Sequence, residues 1–205
     1  NGIPTQDWNS LVGGKNNFMA TSSTGGLARS QDGANWSDIS SNIGADIFKG
    51  CAWEDVSAQW VVVSSTGVVY ISGDEGNTWS SQQVEPYDGS TAVFSKIAAG
   101  NGLIVISNDY GQTWESVDGG TTWEVAANIG GDRYIVQHLS FTGDKFIASV
   151  QDSPFDDSTS VNKFFVSNAN AAQSSTSAIT VWTESETPPH TGPYTAVTSS
   201  QGTFL

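Results

Sequence analysis

Short apolar runs, broken by clusters of Gly, Ser, Thr, Asn and Asp, set the rhythm of this chain. Three segments follow one plan: FMATSSTGGLARSQDGANW (18–36), WVVVSSTGVVYISGDEGNTW (60–79) and LIVISNDYGQTWESVDGGTTW (103–123). Each opens on an apolar strand, turns at small polar residues, resumes as a strand, then reaches Ser-x-Asp and a Trp. Runs this short, rich in Val, Ile, Thr and aromatics and bounded by turn formers, predict β-hairpins and not helices. An apolar residue also stands seven positions before the opening aromatic at Leu11, Leu139 and Val197. That adds one further strand per unit.

The register is tight. Ser30, Ser72 and Ser116 recur at intervals of 42 and 44 residues, and lie 12, 12 and 13 residues after Phe18, Trp60 and Leu103. This frame separates true repeats from a lookalike, because SNDYGQTW (107–114) falls on the middle turn and third strand of its unit. Trp114 then takes the strand position of Tyr70 and Ala28. A weaker fourth unit runs from Phe146 through FFVS to Trp182, with Ser167 in the serine position and no aspartate. A fifth begins at YTAVTSSQGTF. Four short strands per repeat of this length predict an all-β fold, a β-propeller of four-stranded antiparallel blades. The chain would hold four blades and the start of a fifth, at roughly 5–45, 46–91, 92–133, 134–190 and 191–205. Its two ends both begin a blade instead of complementing each other, so these residues are expected to form part of a longer propeller of six or more blades.

Repetition bears directly on chemistry, since a catalytic centre is needed once. An aspartate entering a turn accepts hydrogen bonds from the N–H groups ahead of it. Glycine supplies a positive-φ position, and a Trp offers a large packing face. The expected structural set is Ser30, Asp32 and Trp36; Ser72, Asp74, Gly76 and Trp79; Ser116, Asp118, Gly120 and Trp123.

With its complete matches at 72–79 and 116–123 and a variant, SQDGANW, at 30–36, the chain resembles the Asp-box, or bacterial neuraminidase repeat, β-propeller family. The resemblance implies that each box forms the turn between third and fourth strands of a blade, away from the ligand face. It is specific for a fold element and silent on activity. Sialidases of that family grip a carboxylate with three arginines, whereas this chain has only Arg29 and Arg133. Other relatives hydrolyse glucans with a carboxylate pair, and Asp46, Glu85, Asp88, Asp132 and Asp152 fall on the matching face.

Strand alternation puts the loops 42–48, 85–91, 128–134 and 186–194 at the end opposite the boxes, together with the longer segment 149–165. Tyr87, Asp88, Asp132, Arg133, Asp152 and Phe155 are the ligand-binding candidates there, with Tyr134 and Tyr194 as neighbouring aromatics. Asp152, Asp156 and Asp157 could gather oxygens for Ca²⁺, though without EF-hand spacing; otherwise no cofactor is expected. His138 and His190 are the only histidines and give no zinc pattern.

Charge narrows the partners. Seven Lys+Arg against 21 Asp+Glu leave a net charge of −14, which repels phosphate backbones and anionic lipid and argues against nucleic acid. No apolar run is long enough to span a bilayer. Cys51 is the only cysteine, reads as a small buried residue, and allows no intrachain disulfide. The expected role is a non-catalytic binding or structural module of an exposed assembly: a phage tail fibre, virion appendage or secreted surface protein. The texture of the DG-x-NW variant and the Ser/Thr-rich hairpins resembles such modules. Partners would be a cell-surface glycan or other proteins of the assembly, and the location extracellular or on a virion. The alternative is a secreted glycoside hydrolase; a third reading, as a photosynthetic assembly factor, lacks the basic patch expected for that role.

Overall fold

The computed structural model describes residues 3, 5–85, 93–131, 134–152, 162–167, 181–185, 199–200 and 203–204. Sixteen strands form four antiparallel four-stranded sheets, each a meander in which sequence neighbours pair. The first comprises β1 (Trp8–Gly13), β2 (Phe18–Ser22), β3 (Leu27–Ser30) and β4 (Trp36–Asp38). The second comprises β5 (Phe48–Glu54), β6 (Gln59–Ser64), β7 (Val68–Ser72) and β8 (Ser80–Gln83). The third has β9 (Lys96–Gly100), β10 (Leu103–Ser107), β11 (Thr113–Ser116) and β12 (Glu124–Ala126). The fourth has β13 (Tyr134–Phe141), β14 (Phe146–Asp152), β15 (Asn162–Ser167) and β16 (Trp182–Glu184). A hairpin of β17 (Ser199–Ser200) and β18 (Thr203–Phe204) follows.

Burial explains why the second strands are continuously apolar. In β6 Trp60–Ser64, and in β10 all five residues, are buried, because the sheets stack and cover both faces. The fourth strands carry exposed polar residues instead. First strands of successive sheets touch, β1 with β5, β5 with β9 and β9 with β13. That makes them the converging inner edge of the stack, with the fourth strands outermost.

The cores lie between the sheets. Met19, Leu27 and Ile39 pack on Cys51, Trp60 and Val62 of the next sheet. Val61, Val63 and Val69 meet Phe94, Ile104, Ile106 and Trp114, and Ala98, Leu103 and Val105 meet Phe146. Each sheet therefore has a forward face for its successor and a backward face for its predecessor. On the first sheet the backward face holds Leu11, 65% exposed, and Phe18, 40% exposed. A cavity of about 390 Å³ beside Leu11 is bordered by Trp8, Ala20 and Trp36.

Pairing corrects one spacing. Phe18 lies opposite Ser30 and Trp60 opposite Ser72, but in the third sheet Ile104, not Leu103, faces Ser116. There the β9–β10 connection shrinks to Asn101 (φ 54°) and Gly102 (φ 81°), a two-residue turn with both φ positive. The ladder consequently starts one residue earlier, at Leu103 with Gly100.

The inner strands share an irregularity that the apolar pattern conceals. Register shifts occur between Trp8 and Ser10, Phe48 and Gly50, and Val136 and His138. Asn9, Lys49 and Gln137 are the extra residues, each at the same position relative to its second strand. In the third sheet Ser95 N–H donates to the Ser107 carbonyl, opposite Lys96 (2.8 Å).

Trp60 concentrates the packing: it is fully buried, meets Trp53 edge-on at 5.3 Å, and donates Nε1–H to Asn17 Oδ1 (3.0 Å). Trp60→Ala is expected to cost about 3–5 kcal/mol, read as a lowered urea midpoint with an unchanged slope.

Candidate functional site

The three Ser-x-Asp turns are built alike. Each serine hydroxyl accepts from a glycine N–H, Gly33 (2.9 Å), Gly76 (2.8 Å) or Gly120 (2.8 Å), and donates to the aspartate. Asp74 then takes the Thr78 N–H (2.8 Å) and hydroxyl (2.6 Å). Asp118 takes those of Thr122 at 2.9 and 2.7 Å. In the shorter first box Asp32 accepts from Ala34 N–H, Asn35 N–H and Asn35 Nδ2. The glycines sit at φ 74°, 84° and 90°, where a side chain would be strained. Each Trp closes its turn by donating Nε1–H to that glycine's carbonyl, Trp36 at 3.1 Å, Trp79 at 3.2 Å and Trp123 at 3.0 Å.

These hydrogen bonds fix the charge state. Donation from Asn35 holds the Asp32 carboxyl far below the usual carboxylate range. The Thr78 hydroxyl and N–H, helped by Ser72, bring Asp74 to about 2. Burial would raise Asp118, but donation from Thr122 and Ser116 outweighs it and the group lies low. Carboxylates so held are poor proton donors near neutral pH.

Neighbouring sheets clamp the turns from behind. Arg29 of β3 donates to the Glu75 carbonyl (2.6 Å) and Asn77 Oδ1 (3.2 Å) in the second box, and Asn42 donates to the Gly76 carbonyl (3.1 Å). Gln82 of β8 donates in the same way to the Gly120 carbonyl of the third box. In the fourth repeat Ser167 faces Trp182, and its hydroxyl accepts from Phe146 N–H (2.9 Å).

The boxes share their end of the stack with the turns joining first to second strands. Glu54, 1% exposed, accepts from Val56, Ser57 and, across to the third sheet, Gly102 N–H (2.8 Å). Burial would raise its carboxyl, but the Ser57, Val56 and Gly102 donors together more than offset that.

At the opposite end, Asp46 accepts from Ile47 N–H (2.7 Å), the Tyr70 hydroxyl (2.8 Å) and the Thr66 hydroxyl (2.9 Å). Burial works to raise its pKa, but these donors hold it below the ordinary value, while burial and Asp46 push Tyr70 up to about 12. Glu85 takes the Trp114 Nε1–H on its backbone carbonyl (3.1 Å). The lookalike SNDYGQTW forms the β10–β11 turn, pinned by Asn108 Oδ1 to Tyr110 and Gln112 N–H. Asp152 ends β14 opposite Tyr134 at this same end. Tyr87, Asp88, Asp132, Arg133, Phe155, Asp156 and Asp157 lie outside the described residues. Among the described residues no three His, Cys, Asp or Glu side chains could hold a metal ion, and no helix is long and apolar enough to cross a membrane. Burial pushes the Cys51 thiol up to about 12, and it donates to the Met19 carbonyl (3.6 Å).

Sequence spacing alone does not point to the Glu54 link or the Arg29, Asn42 and Gln82 clamps, because their partners lie in other sheets. Lys49 and Lys96 of the inner strands are also invisible to the repeat frame.

Asp74 contributes stability above the ordinary carboxylate pKa, and that contribution is lost as pH falls through its folded value of about 2. Asp74→Asn should lower stability by about 1 kcal/mol at neutral pH, the exposed setting keeping the effect small. Thermal melts across pH should show the deficit shrinking from about pH 4 downward. A deficit that stays constant to pH 2 would contradict the role of the charge.

No protein-family model matches the chain, and no curated protein sequence does. Solved structures do. YCF48 from Cyanidioschyzon merolae is 14% identical, with a TM-score of 0.59 over 97% of this chain and 61% of that one. Virginiamycin B lyase from Staphylococcus aureus is 8% identical, with a TM-score of 0.65 over 94% and 60%. The β-propeller domain of Cps50 (Swd1) from Myceliophteria thermophila is 8% identical, at 0.52 over 73% and 51%. The chain thus spans about three fifths of the first two proteins' length. At such identities the likeness speaks for architecture alone, and with four stacked antiparallel sheets it establishes that this chain has the β-propeller fold.

Proposed function

We propose that the chain is a non-catalytic binding and structural module of an exposed assembly, such as a phage tail fibre, virion appendage or secreted surface protein. It would contact a glycan or another protein through the end of the stack opposite the boxes. One observation carries this reading: the repeated carboxylates Asp32, Asp74 and Asp118 accept hydrogen bonds within their own turns. The resemblance of those turns to Asp-boxes supports the same assignment. Loops at the other end are free to vary on a rigid scaffold, which is where recognition residues concentrate.

A secreted glycoside hydrolase is the competing reading. Such an enzyme needs a carboxylic acid that stays protonated beside a second carboxylate. Asp46, the one aspartate among the five candidate carboxylates whose side-chain surroundings are described, is held low by its donors. That favours an ion fixed in place over an acid catalyst.

A glycan array paired with a reducing-end assay separates the two. Binding without release of reducing ends is expected, and Asp74→Asn and Asp118→Asn should retain it per folded molecule. Turnover abolished by Asp46→Asn would replace the proposal with the hydrolase.

A further inference from the structure

The outer flanks of the first two sheets share one register but are finished differently. In the first sheet Ile39 follows Asp38, which pairs with Ala28; in the second Gln82 follows Ser81, which pairs with Tyr70. Gln82 therefore stands where the first sheet has Ile39. Ile39 is buried in a core that includes Ile43 and Trp79, so aliphatic side chains close that flank. Between the second and third sheets the flank is open. A cavity of about 530 Å³ lies there, with Gln82, Gln83 and Glu85 on one wall and Thr122, Trp123 and Val125 on the other. Val125, 41% exposed, takes the register position of Ser81.

Two hydrogen bonds pin the walls of this cleft together. Near the boxes Gln82 Nε2–H donates to the Gly120 carbonyl, the acceptor that Trp123 also uses. Toward the other end Trp114 Nε1–H donates to the Glu85 carbonyl (3.1 Å). A cleft held in shape beforehand lowers the ordering cost of binding, and its volume falls within the roughly 300–1,000 Å³ of small-ligand sites. Gln83 spends its Nε2 on the Thr66 carbonyl (3.1 Å), so both amides keep Oε1 as an acceptor. The Glu85 carboxylate has no hydrogen-bond or ion-pair partner among the described residues. No Lys, Arg or His lines the cavity among the described residues. Acceptors without a cation repel anions and suit a ligand rich in hydroxyl donors. The half-buried Trp123 and exposed Val125 add an apolar surface. A pyranose with equatorial hydroxyls matches both demands, since its C–H faces are apolar and its rim donates.

We infer that the cleft between β8 and β12 binds a neutral, equatorially hydroxylated oligosaccharide. Trp123 and Val125 face its ring, and Gln82, Gln83 and Glu85 accept its hydroxyls. The exchange of Ile39 for Gln82 in the shared frame is what opens the flank. This cleft lies apart from the box-free end, where the proposed function places its contact, so the two can fail separately.

Titration calorimetry with cellotetraose, tri-galacturonate and trilysine tests this directly. Cellotetraose should bind with little dependence on salt, and tri-galacturonate at least ~10-fold more weakly. Gln82→Ile, which copies the closed first flank, and Val125→Arg, which fills the cleft, should each weaken cellotetraose by ~10-fold or more. Gln83→Ala should weaken it by about 3-fold. Circular dichroism and melting temperature should stay near those of the parent in all three variants, and Ser37→Ala on the first sheet should change nothing. No binding of cellotetraose, equal affinity for tri-galacturonate, or binding of trilysine alone would overturn the inference. Cellotetraose binding that survives both Gln82→Ile and Val125→Arg would also overturn it, while leaving the contact at the box-free end standing.

Discussion

A thin sheet with two apolar faces cannot stand in water, and this requirement organises the molecule. Val61, Val63 and Val69 point to one side of the second sheet while Trp60, Val62 and Cys51 point to the other. Each sheet must therefore have a neighbour before and behind it. Stacking alone would allow the outer edges to splay. The second and third box turns limit this, because Trp79 and Trp123 pack against the core shared with the preceding sheet while each indole N–H is tied back to its own loop. Gly76 shows how close the fit is: a Cβ there would come within 3.0 Å of Ile39 and Met19 of the first sheet.

The same logic tells where charge can be used. Carboxylates in the repeated turns replace backbone hydrogen bonds that a tight bend cannot make, and donors around them keep them ionised. Glu54 does comparable work one turn further in, reaching the third sheet through Gly102. Asp46 ties its loop to the Tyr70 hydroxyl at the other end. Much of the acidic character of this chain is thus architectural.

How much was legible from sequence depended on the range of the interaction. Ser-x-Asp with its Gly and Trp is written within eight residues, so the spacing located both the turns and the strands flanking them. Even the weak fourth repeat could be placed from Phe146, Ser167 and Trp182. The inner-strand irregularities were hidden because Asn9, Lys49 and Gln137 share no residue type, and the feature lies in how two strands pair. The third repeat was read one residue early because Leu103 and Ile104 are equally apolar, and only the two-residue turn at 101–102 decides between them. Of the candidate ligand loops, composition could name residues such as Tyr87 and Arg133, but nothing local ties them to one another.

The clamps on the boxes all run one way. Arg29 and Asn42 of the first sheet hold the second box, and Gln82 of the second sheet holds the third. No corresponding grip reaches backward among the described bonds. Loosening an early sheet would strip support from the bend that follows, whereas loosening a later one would leave its predecessor's bend intact. The stack therefore has a polarity in its cooperativity, and fraying from its two ends should not be mirror images of one another.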